Sequence, residues 1–123
     1  VIAATKLQSL PPWPDERVRR IAAAIAIAEG YWVPGSIPNQ RNNPGDLTDP
    51  KTGQIRTFAS ADEGWRALYR HIERILAGES SIYPADGTIA QIARIYTATE
   101  QDAWAQNVAR ALGVSPDTKL RDA

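Results

Sequence analysis

The sequence predicts a mainly α domain of the α+β kind, on three observations. Four stretches carry helical apolar periodicity, three of them end at a glycine, and only residues 45–58 read as strand and turn. At 123 residues with 43% hydrophobic content, the chain is long enough to bury one core and needs no second. We therefore expect an extended, Pro-rich N-terminal arm over residues 1–14 and a single domain over residues 15–123.

Lys+Arg and Asp+Glu both number 14, so the formal net charge is zero and no broad basic face argues for nucleic acid. The absence of cysteine excludes disulfides and thiolate chemistry, and a single histidine, His71, is too few for a His-built metal site or a Ser-His triad. Carboxylates are the chemistry left, and neither metal nor cofactor is implied. No run reaches the about 18 apolar residues of a membrane span, so membrane insertion is not expected. Residues 1–5 lack the regions of an intact signal peptide, which leaves export permitted rather than shown.

The arm ends in Leu10-Pro11-Pro12-Trp13-Pro14, whose prolines keep it out of any helix. Trp13 suits an anchor onto the domain. The first helix starts near Asp15, with Glu16 in a first turn whose dipole favours it. Arg17, Arg19 and Arg20 fall off the apolar stripe and read as a solvated face. From Ile21 the helix becomes apolar on more than one side, as a central helix is, and Gly30 and Pro34 end it.

Its last residue before the glycine is Glu29, which on a helical wheel lies within about 40° of Val18, on the same side as Ala22 and Ile25. The negative end of the helix dipole and apolar surroundings both disfavour its ionised form. Glu29 is therefore the candidate catalytic acid, since general-acid chemistry needs a carboxyl still protonated near neutral pH.

Residues 31–47 are rich in Gly, Pro and amides and read as a long loop, a length that tends to be functional. Tyr31 and Trp32 offer flat faces for pyranose rings, and the amides of Asn42 and Asn43 offer paired donors and acceptors for sugar hydroxyls. Asn42, Asn43 and Asp46 equally suit turn hydrogen bonds to the backbone. Turn chemistry at residues 48–53, flanked by 45–48 and 54–58, predicts a small β-hairpin held against the helices, with Phe58 as its anchor.

Ser60-Ala61-Asp62-Glu63 forms a capping box for a helix to about Ala77, with Trp65, Leu68, Tyr69, Ile72, Ile75 and Leu76 on its stripe. His71 falls off that stripe, as a surface or hydrogen-bonded boundary residue. Thr88-Ile89-Ala90-Gln91 caps a short helix carrying Ile89, Ile92, Ala93 and Tyr96. Thr99 is expected to cap a last helix over 100–112, with Trp104, Val108, Ala111 and Leu112 inward, before a frayed end.

The order Ala28-Glu29-Gly30, Pro34-Gly35-Ser36, Arg41-Asn42-Asn43-Pro44-Gly45-Asp46-Leu47 and then residues 58–68 resembles the lysozyme-like muramidase and lytic transglycosylase domains of bacteria and their phages. The likeness spans about residues 15 to 120. It implies a buried helix ending in the catalytic glutamate, a β-hairpin flanking a cleft, and a peptidoglycan glycan strand as substrate for a monomeric enzyme. Glu29 would then protonate the β-1,4 glycosidic oxygen between N-acetylmuramic acid and N-acetylglucosamine. Tyr96 falls in a stretch similar to the cleft-lining tyrosine region of lytic transglycosylases. The implied location is secreted, periplasmic or cell-envelope, or a phage virion.

Asp46 departs from the pattern, since phage-type sequences often carry asparagine or another neutral residue there. It is a possible second carboxylate or an incidental change. Carboxylates about 5 to 5.5 Å apart suit a retaining hydrolase and about 6.5 to 9.5 Å an inverting one. A lytic transglycosylase needs Glu29 alone, and that route is favoured. The alternatives are a hydrolytic muramidase using Asp46, and a catalytically inactive glycan-binding or virion structural module. Asp49, in a turn, and Asp62, in a helix first turn, are weaker candidates.

Overall fold

The computed structural model describes residues 1–123 and is mainly helical. In chain order the helices are α1 (Ala4–Gln8), α2 (Glu16–Glu29), α3 (Ile37–Gln40), α4 (Ala61–Leu76), α5 (Ile89–Tyr96) and α6 (Gln101–Leu112), followed by a 3-10 turn at Leu120–Asp122. Asp15 caps α2 by accepting from the Arg17 amide, and Gly30 closes it in the left-handed conformation.

Helix α2 is the centre of the packing. Val18 and every residue from Ile21 to Ala26 are buried, so its middle turns are covered on all sides, although Ile27 is exposed. Its largest contact is with α6, which buries Trp104, Ala105, Val108, Ala109 and Ala111; α4 packs against it and α5 lies on α6. Small buried residues are frequent on both helices, Ala22 to Ala24 and Ala26 on α2 and Ala105 and Ala109 on α6, and small residues permit close approach of helix backbones.

Three expectations about the termini are corrected. The arm is not extended throughout, because residues 4–8, which precede its first proline, form α1, and Ile2 and Leu10 on either side are buried in the core. Arg17, Arg19 and Arg20 are not merely a solvated face. The Arg19 guanidinium donates to the carbonyls of Leu7 (2.6 Å), Leu10 (3.3 Å) and Pro11 (3.3 Å) while pairing with Glu16, and so straps the arm down. Arg17 and Arg20 donate to the carbonyls of Arg121 and Ala123. The C-terminal end is accordingly docked rather than frayed, with Leu120 buried and a single antiparallel bridge between Thr88 and Lys119. Trp13 does anchor the arm, its ring 5.2 Å from that of Tyr69, whose hydroxyl donates to Pro11.

The expected hairpin is reduced to one antiparallel bridge, Thr48 to Ile55. Two backbone bonds flank it, from the Arg56 N–H to the Leu47 carbonyl (2.9 Å) and from the Asp49 N–H to the Gln54 carbonyl (2.8 Å), and side chains reinforce the pair: the Asn43 amide donates to the carbonyls of Leu47 and Arg56, and Arg41 donates to that of Ile55. The preceding loop also contains a helix not expected from its glycines and prolines, α3, capped by Ser36. The capping box at Thr88 and Gln91 is complete. At α4, Ser60 accepts from the Glu63 amide as expected, but Glu63 reaches Ala59 instead of the cap residue. Thr99 does not cap α6; Glu100 precedes that helix in a left-handed conformation with no side-chain cap.

The loop and α4 meet at Gly64, where a Cβ would fall on the carbonyl of Asn42 and within 3.1 Å of Pro44 Cδ. Gly64→Ala is expected to lower unfolding stability by about 3 kcal/mol in urea melts, since neither backbone can give way.

Candidate active site

The apolar run of α2 delivers Glu29 to the helix end, where the carboxyl is mostly buried but the residue keeps some exposure. Its Oε2 accepts a 2.9 Å hydrogen bond from the indole Nε1 of Trp104 on α6. Burial pushes the Glu29 pKa up to about 7; the indole hydrogen bond opposes this and the nearby negative charge of Asp46 adds to it. The carboxyl singled out by helix position is therefore still partly protonated at neutral pH.

Asp46 reaches this neighbourhood from the loop. Asn43 is fully buried, donates through Nδ2 to the carbonyls of Leu47 and Arg56, and accepts at Oδ1 from the Leu47 amide. That side chain holds residues 43–47 in a tight loop with Asp46 at φ +51. The loop closes onto the helices at Gly45, where a Cβ would lie 2.6 Å from Leu68 Cδ1 and 3.0 Å from the Tyr96 hydroxyl. Burial raises the Asp46 pKa and the Arg41 guanidinium opposes the rise. One carboxylate oxygen, Oδ1, is buried without a hydrogen-bond partner.

Tyr96, from α5, donates through its hydroxyl to the Gly45 carbonyl at 2.6 Å and stacks on Trp104, ring centroids 4.9 Å apart at 28°. It holds the loop and supports the indole. Tyr83 lies 6.0 Å from the Tyr96 ring. Burial first, and the Glu29 charge second, raise both phenols, Tyr83 to about 12 and Tyr96 well above its ordinary value, so both remain protonated beside the acid. His71 is neither a surface residue nor a hydrogen-bonded boundary one at Nε2. That nitrogen is buried without a partner, the ring sits edge-on to Tyr83 (5.4 Å) and Tyr96 (5.9 Å), and burial holds its pKa down.

The fold thus groups Glu29, Asp46 and Tyr96, and adds Trp104 and Tyr83, which sequence reasoning missed. Trp104 was legible only as an inward residue of α6; a buried indole N–H needs an acceptor, and that was the available signal. Of the expected sugar contacts of the loop, Asn43 is corrected. Asn43 is inaccessible, and the Asn42 amide donates to the Phe58 carbonyl (3.1 Å). Tyr31 and Trp32 are half-buried, packed edge-on to each other (5.4 Å) and both against Trp65, with Lys6 Nζ 4.2 Å above the Trp32 ring. Asp49 caps its own turn through the Lys51 amide, and Asp62 pairs with Arg66 on the surface of α4.

No protein family, curated protein or solved structure compared with the chain gives a match. Two surface hollows, of about 520 Å³ around Arg17, Arg70 and Arg74 and about 370 Å³ between Arg94 and Ala103, hold none of the grouped residues. Nowhere do three or more His, Cys, Asp or Glu side chains gather as a metal-holding group.

The raised Glu29 pKa carries a stability consequence. The folded state binds its proton more tightly than the unfolded chain, whose ordinary value is 4.5. Stability from this group is intact below about pH 4.5 and is lost as pH rises to about 7 and beyond. At about 1.4 kcal/mol per tenfold change in proton affinity, the loss is about 3 to 4 kcal/mol. Glu29→Gln, which cannot ionise, is expected to melt at a higher temperature than the parent above pH 7 and to match it more closely near pH 4.5; calorimetry across that range checks this.

Proposed function

We propose that this chain cleaves the β-1,4 glycosidic bond between N-acetylmuramic acid and N-acetylglucosamine in peptidoglycan, with Glu29 as general acid and then base. The observation that supports it is a carboxyl raised to about 7 at the end of a buried helix, where it is still partly protonated at neutral pH and keeps some exposure to solvent. The sequence resemblance to lysozyme-like muramidase and lytic transglycosylase domains supplies the substrate class, and on this reading the fold is of that type.

The neutral Glu29 carboxyl gives its proton to the bridging oxygen as the bond from the muramic acid C1 to that oxygen breaks, leaving an oxocarbenium-like sugar and a Glu29 carboxylate. The carboxylate then takes a proton from the sugar's own 6-hydroxyl as O6 closes on C1. That step restores neutral Glu29 and leaves a 1,6-anhydro end, the outcome of a lytic transglycosylase. The phenols of Tyr83 and Tyr96, which stay protonated, keep the flank of Glu29 free of further negative charge.

A hydrolytic muramidase is the second reading, and one observation favours it. Asp46 is near enough for its charge to raise the Glu29 pKa, so a second carboxylate lies beside the acid. In that reading the proton returns from water as its oxygen joins C1, with Asp46 stabilising the positive sugar.

Mass analysis of digested peptidoglycan separates these readings. Anhydro-muramic ends are expected from the parent protein; reducing ends alone would assign hydrolysis, and no released fragments would assign a glycan-binding or virion structural module. Glu29→Gln is expected to lower lytic activity at least about a hundredfold, the low end of acid/base contributions. Full lysis by Glu29→Gln would sink the proposal. The rate is expected to fall as pH rises past about 7, where the acid loses its proton.

A further inference from the structure

Three features outside the proposed chemistry invite a role: the arginine-lined hollow, the buried His71 nitrogen, and the hydrogen bond from Trp104. The hollow alternates Arg17, Arg70 and Arg74 with Asp15, Glu73 and Glu79, so it presents no charge preference. His71 packs edge-on to the rings of Tyr83 and Tyr96 and has no hydrogen-bond partner at Nε2. The Trp104 bond touches the reacting group itself.

Resting on the reading of Glu29 as the acid, we infer that Trp104 is a positioning residue that commits Glu29 Oε2 to accepting the indole N–H and thereby makes Oε1 the oxygen that gives and retakes the proton. An indole nitrogen can only donate, and it lies 2.9 Å from Oε2. In a neutral carboxyl the carbonyl oxygen is the better acceptor, so the N–H selects Oε2 as carbonyl and leaves the hydroxyl on Oε1. After transfer, the same bond stabilises the carboxylate without reorientation, and Oε1 is free to take the second proton.

The indole is itself fixed. Its residue is buried in α6, its ring is stacked on Tyr96, and Tyr96 is tied by a 2.6 Å hydrogen bond to Gly45 in the loop that carries Asp46. The direction of the acidic proton is therefore coupled, through two rings, to the position of the second carboxylate. The ionisable groups facing Glu29 are Asp46 from the loop, Tyr83 from the segment before α5, and Tyr96 from α5. The phenols stay neutral through the working range, so of these only Asp46 changes charge near Glu29.

Two measurements test the assignment. Trp104→Phe keeps a ring in the stack but removes the donor. The expected result is a kcat lower by about tenfold to a hundredfold with KM little changed, and a high-pH limb of the rate profile moved upward, because the lost hydrogen bond had favoured the carboxylate. A packing defect alone lowers activity at every pH and leaves that limb in place. The second readout needs no activity and no variant that folds poorly. In protein labelled with ¹⁵N-tryptophan, the Trp104 indole N–H, one of four, is expected to titrate with a midpoint near 7. It is expected to stop doing so in Glu29→Gln.

An indole resonance that stays fixed between about pH 5 and 9, or a Trp104→Phe profile with its high-pH limb unmoved, would overturn the assignment. Full lysis by Glu29→Gln would remove the catalytic reading instead, and the indole titration would still decide whether Trp104 reads the protonation of Glu29.

Discussion

The structure depends on the burial of α2 against α6. An α-helix covered on every side through its middle turns must be almost free of charge, and α2 meets that condition from Ile21 to Ala28 before placing Glu29 at its end. The partner helix supplies the one polar group that meets the carboxyl, the Trp104 indole. Desolvation and a single donor then compete, and desolvation wins, because one neutral hydrogen bond replaces only part of a carboxylate's hydration. The acid is thus a product of the same contact that makes the core.

The surrounding elements serve this contact in two ways. Arg19 and Tyr69 fasten the N-terminal segment by its carbonyls, and Arg17 and Arg20 fasten the C-terminal end, so side chains of α2 and α4 tie both termini to the core. Asn43 performs the same task for the loop, using one buried amide where a longer hairpin would have used a ladder. The polar groups left over are informative. Trp13 Nε1, Asp46 Oδ1 and His71 Nε2 are buried without partners, and unsatisfied groups of this kind destabilise a fold unless something else requires them. Nothing in the structure supplies that reason for these groups.

Much of this was legible in the sequence because local rules carried it. The inward turn of Glu29 follows from helical periodicity, and the ends of α2, α4 and α5 follow from Asp15, Gly30, Ser60 and Thr88, whose side chains or conformations act within four residues. What could not be read depended on contacts remote in sequence. Arg19 looks like a solvated residue until the arm folds back over it. Asn43 looks like a sugar-binding amide until residues 47 and 56 are brought to it. Trp104 lies 75 residues from Glu29, so no pattern on either helix announces their bond. The hairpin is short, held by two backbone bonds and by the side chains of Asn43 and Arg41, whose positions strand propensity does not register.

The most direct test of the account is the titration of the Glu29 carboxyl itself, followed by its ¹³C resonance in protein labelled at glutamate and assigned by its absence from Glu29→Gln. The account predicts a midpoint near 7, set by burial against Trp104 and the charge of Asp46. A midpoint near the ordinary 4.5 would contradict it, because the carboxyl would then be ionised at neutral pH and unable to serve as the acid.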